Sequence, residues 1–347
     1  MSALPDDFTD RFQTPTPIGD GASGSVFKAS DPRASRSVAV KVLHAESMRD
    51  QRQAQRFQRE VEATAQLEHP NIPPLYEAGE TPNGRPYLAM RLIEGESLAK
   101  VIARLAKNDA DTHSAFGFSR RVAIAIDLCD ALEYAHERGL LHRDIKPENI
   151  MLGSHGEVWL VDWGLAAPPS EERPSEDIKI TEDFSFVGTL ATAAPEQLGG
   201  VTTTASDQYS LGVVLYELFA LRSPYEGKTR FEMMQALLQD TPKAAERFIH
   251  PIQGRVPREL SVLVARMLQR KPEDRFSSIS EVKSELTIIQ DGDIRAICPH
   301  TMLKKQGHRL GRLLDTHNLW LAPLVLVWLS YPLVHLIYLL VGRLTQP

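Results

Sequence analysis

Near residue 95 the hydrophobic pattern changes its period, and that change restricts the fold more than any single motif. Before it, residues 17–45 and 72–93 carry short β-type runs such as VFKAS, LYEAG and YLAMRLI, broken by glycines and by a turn at Pro82, Asn83 and Gly84. One polar segment interrupts them. Residues 50–68 (DQRQAQRFQREVEATAQLE) place Phe57, Val61 and Leu67 at roughly helical spacing and predict a surface helix. After residue 95, segments 119–138, 206–220 and 258–270 repeat apolar residues at helical intervals. The pattern predicts an α+β chain of two lobes, a β-rich one with one main helix and then a helical one. Residues 167–187 (APPSEERPSEDIKITEDFSFV), rich in Pro, Ser and acids, predict an exposed loop inside the helical lobe. No internal repeat is visible.

Composition narrows the function classes. The chain has 347 residues, 42% hydrophobic and 24% charged, which suits a folded domain and excludes wholesale disorder. A formal net charge of -6 argues against a broad phosphate-seeking surface, so no nucleic-acid partner is expected. Cys129 and Cys298 lie far apart without metal-ligand spacing, which suits a reducing compartment. Met1 to Asp10 is acidic and lacks a long apolar run, so no cleavable signal peptide is expected and the start of the chain stays in the cytoplasm.

The chemistry begins at Gly19, Gly21 and Gly24, spaced G-x-G-x-x-G, with Val26 two positions on. A dinucleotide site would run from these glycines into a helix, whereas here they run into a β-type segment, so a hairpin laid over phosphates fits better. Lys41 ends the apolar run Val38-Ala39-Val40, where a buried ammonium needs a carboxylate. Glu60, nine residues before His69-Pro70-Asn71-Ile72, is the candidate, with Glu62 as the alternative.

The segment His142-Arg143-Asp144-Ile145-Lys146-Pro147-Glu148-Asn149, in order after the glycines and Lys41, resembles the eukaryotic-like protein kinase superfamily, in particular its bacterial serine/threonine kinases. The resemblance covers residues 12–290, with a small lobe over about 12–93 and a large one over about 94–290. It implies a bilobal fold with ATP in the cleft and protein Ser/Thr hydroxyls as acceptors, autophosphorylation included. It also implies residue roles. Asp144 would take the substrate hydroxyl proton and Lys146 would face the γ-phosphate, while Asn149 and Asp162 would hold Mg2+, with Mn2+ as an alternative. Lys41, paired with Glu60, would grip the α- and β-phosphates under Gly19, Gly21 and Gly24. Ile18, Val26, Ala39, Met90 and Leu92 would line the nucleotide, with Met90 at the back wall and the backbone of Arg91-Leu92-Ile93 at the hinge. Ala194-Pro195-Glu196 would close the activation segment, with Glu196 paired to Arg275, and Asp207 would support the catalytic loop. Arg143 would meet a phosphorylated activation segment, with Thr181 and Ser185 as candidate acceptors. The sequence departs from the family pattern at Trp163, in the triplet Asp162-Trp163-Gly164, at Thr192, where relatives often carry Tyr, and at Arg91.

A second feature follows. Leu319 to Val341 (LWLAPLVLVWLSYPLVHLIYLLV) has no Asp, Glu, Lys or Arg and is long enough for a bilayer-spanning helix, kinked at Pro332. A buried core helix and a hairpin entering and leaving one leaflet are the alternatives. Residues 291–318 would be a juxtamembrane linker. Lys304, Lys305, Arg309 and Arg312 precede the stretch and only Arg343 follows it, which keeps the kinase domain cytoplasmic and puts the short tail 342–347 across the bilayer, with no external sensor domain. A homodimer remains open. Intact Lys41, Asp144, Asn149 and Asp162 favour an active enzyme over a silent kinase-like scaffold at the membrane.

Overall fold

The structure, a computed structural model, describes residues 11–21, 24–169, 187–227 and 229–292. The chain divides into a unit of residues 1–287 and a second of residues 288–347, the latter described only over 288–292.

Five antiparallel strands open the first unit: β1 (Gln13–Asp20), β2 (Gly24–Asp31), β3 (Arg36–Leu43), β4 (Leu75–Glu80) and β5 (Pro86–Arg91), in the order β1-β2-β3-β5-β4. Alternation gives the sheet two apolar faces. Phe27, Ala29, Val38, Val40, Val42, Tyr87 and Ala89 close over Phe12 on one face. On the other, Leu43 and Leu88 pack against Phe57 of helix α1 (Gln51–Gln66). Asp50 caps α1 by accepting from Arg52 N at 2.9 Å, satisfying one of the orphan amides of its first turn. The helix expected over 50–68 and the strands expected around the 82–84 turn are thus present, and Gly84 takes φ 76° in that turn.

The next part holds β6 (Gly95–Ser97), α2 (Leu98–Ala106), α3 (Ala110–Ala115) and α4 (Phe118–Glu137), followed by β7 (Ile150–Gly153) and β8 (Val158–Leu160). Strands β6, β7 and β8 form a three-stranded sheet that the helical reading of this lobe did not anticipate. Then come α5 (Val187–Thr192), α6 (Thr204–Ala220), α7 (Arg230–Gln239), the short pair β9 (Ile249–His250) and β10 (Gly254–Arg255), α8 (Arg258–Met267) and α9 (Ile279–Gln290). Helix α6 is buried from Ser206 to Ala220 except at Glu217, as expected of a helix apolar nearly all round. The result is a sheet lobe followed by a helical lobe, as the change of period implies.

Most of the loop expected over 167–187, with Thr181 and Ser185, lies outside the described residues, as do Cys298 and Leu319–Val341. Among the described residues no helix is long and apolar enough to cross a membrane.

Candidate functional site

Lys41 lies opposite Val26 of β2 and Leu88 of β5, so its side chain leaves the sheet on the face that α1 covers. Glu60 shares the buried side of α1 with Phe57 and Thr64, which are three and four positions away, and this spacing delivers its carboxylate to the lysine. Lys41 Nζ donates to Glu60 Oε1 at 2.7 Å and Oε2 at 2.6 Å, and stands 3.5 Å from Asp162 Oδ1. Glu62 is exposed and accepts from Gln58 Nε2 at 2.9 Å, so the alternative partner is excluded. Burial opposes the charge on Lys41, but Glu60 and then Asp162 outweigh it and hold the ammonium above its ordinary pKa.

The loop between α4 and β7 is fixed from below. Asp207, buried in α6, accepts from His142 N and Arg143 N, both at 2.9 Å, and contacts His136 Nε2 at 2.8 Å. These bonds hold Arg143 at φ 67°, a conformation that costs a non-glycine residue free energy unless its surroundings enforce it. His142 is fully buried, meets the Val161 carbonyl at 3.1 Å through Nε2, and packs edge-on against Trp163 at 4.6 Å. Burial pushes its pKa down, which favours the neutral ring.

Trp163 is 1% exposed and donates Nε1–H to Leu160 O at 3.2 Å, so the indole fills the space and also finds a polar partner. Asp162, next to it, takes φ 66° and keeps a side chain 44% exposed. Nearby Lys41 holds its pKa below the usual carboxylate range, with Lys146 adding to the effect. Leu160 N donates to Asn71 O at 2.8 Å, and Asn71 Nδ2 to Val158 O at 2.9 Å. The turn after α1 is thereby tied to the strand that leads to Asp162. Sequence reasoning quoted Asn71 only as a landmark and missed this role, as it missed His136.

Asp144 is buried at 7% exposure. Its Oδ2 accepts from Lys146 Nζ at 2.6 Å and Asn149 Nδ2 at 3.1 Å, and Asn149 Nδ2 also reaches the Asp144 carbonyl at 2.9 Å. Among the described residues Asp144 Oδ1 has no hydrogen-bond partner, although it is buried. Burial raises the Asp144 pKa, against the pull of Lys146.

The glycine hairpin closes through Gly21 N donating to Gly24 O at 3.0 Å. A Cβ on Gly24 would come within 2.5 Å of Val42 O, so only glycine allows β2 this close to β3. Gly19 pairs with Val26, Ala39 with Met90, and Met90 also packs against the Leu43, Phe57 and Leu88 cluster. Ile18 is 52% exposed, Leu92 is half-buried, and Arg91 lies over the Trp159 ring at 5.0 Å. Glu196 and Arg275 form the expected pair, Arg275 Nη1 to Oε1 at 2.7 Å and Nη2 to Oε2 at 2.8 Å, and the guanidinium also donates to the carbonyls of Ala205, Gln269 and Arg270.

The donor set suits a hard divalent cation: an exposed, readily ionised Asp162 and the amide oxygen of Asn149, whose Nδ2 is spent on Asp144. Among the described residues no group of three His, Cys, Asp or Glu side chains could hold a metal, so phosphate and water oxygens would complete its coordination.

Residues 12–286 match the family model described as the protein kinase domain. The chain is 34% identical over 310 residues to a serine/threonine-protein kinase, PknD, of Protochlamydia amoebophila, an alignment covering 84% of this chain and 31% of that protein. It is 32% identical over 292 residues to PknB of Mycolicibacterium smegmatis and 31% identical over 293 residues to PknB of Mycobacterium tuberculosis, both serine/threonine-protein kinases, covering 83% of this chain and 44% of each relative. The chain thus spans less than half the length of these relatives.

Proposed function

Because this chain belongs to the protein kinase family and its relatives are serine/threonine kinases, we propose that it transfers the γ-phosphoryl group of ATP to Ser or Thr hydroxyls of proteins, its own included. The observation that carries this reading is the divided carboxylate of Asp144. One oxygen is held by Lys146 and Asn149, while the other is buried without a partner among the described residues, as an acceptor for an incoming hydroxyl would be.

Asp144 orients the hydroxyl and takes its proton as the oxygen–phosphorus bond forms and the bond to the ADP leaving group breaks. Lys146 sits against Asp144 and offers its charge to the transferring group. Lys41, fixed by Glu60, binds the α- and β-phosphates, and the amides around Gly19, Gly21 and Gly24 cover them, with Ile18, Val26, Ala39, Met90 and Leu92 against the base. Mg2+ or Mn2+ on Asn149 and Asp162 would neutralise phosphate charge when bound. The rest of the chemistry is positioning and electrostatics, so residues already held by Asp207 and Glu60 need little reorganisation.

The kinase domain in this reading runs over 12–290. Residues 319–341 tether it to a bilayer and 291–318 link the two. Support for the tether is the uncharged stretch and the basic residues before it. Regulation centres on Arg143, whose Nε is buried without a partner among the described residues while Nη2 donates to Pro168 O. A phosphate on the segment after Pro168 would give that group a charge-assisted bond.

The deciding experiment compares wild type with Asp144→Asn using labelled ATP, Mg2+ and a protein substrate. The variant should stay folded and lose about two to four orders of magnitude in kcat. Equal turnover would refute the reading.

A further inference from the structure

A hydroxyl, an imidazole and a carboxylate meet at the base of the glycine hairpin, and the site described above uses none of them. Ser25 Oγ lies 2.7 Å from Asp20 Oδ1 and 2.8 Å from His44 Nε2, and His44 Nε2 lies 3.2 Å from the same Asp20 oxygen. Strand register explains the meeting. Ser25 stands opposite Asp20 of β1 and Val42 of β3, and His44, two residues past Val42, is its diagonal neighbour. Ser25 therefore belongs to the sheet face that carries Phe27, Val40 and Val42, opposite the face of Val26 and Lys41.

The trio is not a hydrolytic relay. In such a relay the imidazole meets the nucleophile through one ring nitrogen and the carboxylate through the other. Here both contacts use Nε2, and Ser25 is 2% exposed. The bonding closes if Ser25 Oγ–H donates to Asp20 and His44 Nε2–H donates to Ser25 and Asp20. That pattern is open to the neutral ring and the protonated one alike.

We propose that Asp20, Ser25 and His44 are positioning residues for the nucleotide, a clasp that pins both strands of the glycine hairpin to the end of β3. The proposal rests on the kinase reading above. Glycines give the hairpin more backbone freedom than any other residue type, and ordering it around phosphates costs entropy at the moment of binding. Three side chains, on β1, on β2 and just past the end of β3, remove part of that freedom beforehand. They also fix the distance between the covering amides and Lys41, which lies three residues before His44 on the strand they grip. Because they act from the far face, they shape the phosphate site without touching it.

The test uses the full chain. Binding of Mg·ATP is measured by calorimetry, and kcat and both KM values by peptide phosphorylation, for wild type, Ser25→Ala, Asp20→Asn, His44→Gln, Ser25→Thr and the double variant S25A/H44Q. Losing the two Ser25 bonds in Ser25→Ala, or the charge that strengthens the acceptor in Asp20→Asn, predicts weaker Mg·ATP binding and a KM for ATP raised about three- to tenfold. Meanwhile kcat should stay within about twofold and KM for peptide should not change. Ser25→Thr, which keeps the hydroxyl, should restore affinity, and S25A/H44Q should lose less than the sum of its single variants because both break one unit. Wild-type ATP affinity in the single variants overturns the clasp, as does strict additivity. So does a parallel fall in kcat and thermal stability with no selective change in KM for ATP, which would mark an ordinary structural role. If wild type itself fails to bind Mg·ATP, the kinase reading falls and the clasp falls with it. If wild type binds and the variants match it, only the clasp falls.

Discussion

Burial pushes the Glu217 carboxyl up to about 7, and Glu148 nearby adds to the effect. A carboxyl raised in the fold favours the folded state while it is protonated. Its contribution is therefore complete below its ordinary pKa of 4.5 and is lost as pH rises through about 7. Glu217→Gln is neutral at every pH, so it should match wild type near pH 4.5 and exceed it above pH 7, by up to about 3 kcal/mol. Urea denaturation at pH 5 and pH 8 measures this, and an equal difference at both values would contradict it. Glu217 interrupts an otherwise buried helix, yet nothing in the sequence marks it, because its neighbours in space are fixed only by the tertiary fold. Lys41, Asp144, Asn149 and Asp162 are different. Each belongs to a short motif whose spacing and residue types state a chemistry, so a single sequence points to them. Between Glu60 and Glu62 the motif alone was ambiguous, and the buried stripe of Phe57, Glu60 and Thr64 on α1 decides.

Elements divide along similar lines. Helices α1, α4, α6 and α8 were legible because ten or more residues carry one period. Strands β6, β7 and β8 have three, four and three residues, too few to show alternation, and their pairing joins Gly95 to Gly153 with helices α2, α3 and α4 between them. They were invisible for that reason. The same short sheet leads into Asp162, so the part of the site that sequence reasoning could not shape is the support beneath its exposed carboxylate. The segment between Pro168 and Val187 belongs to this scale too. After incubation with Mg·ATP, mass spectrometry should find phosphate within residues 175–192, at Thr181, Ser185 or a neighbour. Full activity with that segment unmodified would remove Arg143 from any switching role.

For the molecule, two long-range features matter most. Arg275 has no exposed side-chain surface and its guanidinium gives every hydrogen bond it makes to Glu196 and to three carbonyls, so Arg275→Ala leaves the Glu196 carboxylate with only the Ser206 hydroxyl and strips the carbonyls of that donor. A loss of about 3–5 kcal/mol follows, measurable by chemical denaturation. A change below 1 kcal/mol would mean that water replaces the guanidinium. The proposed tether gives the other test. Removing residues from Gly311 onward should release the protein from membranes with peptide phosphorylation intact. Extraction of the full chain by high salt or carbonate would rule out a spanning helix.

Glu196 and Arg275 are 79 residues apart in the chain. During synthesis at about 5–20 residues per second, the carboxylate emerges roughly 4–16 s before the arginine that anchors it. Throughout that interval Glu196 lacks the guanidinium it pairs with and has only the Ser206 hydroxyl, whatever nucleotide is present. In the proposed reading the catalytic residues up to Asp162 are made earlier still, so the nascent chain would carry its chemical groups before it could hold a substrate in place. On that reading competence would come no earlier than the turn at Pro272–Asp274 and the arginine after it, which would make the order of translation itself a delay on the first phosphoryl transfer.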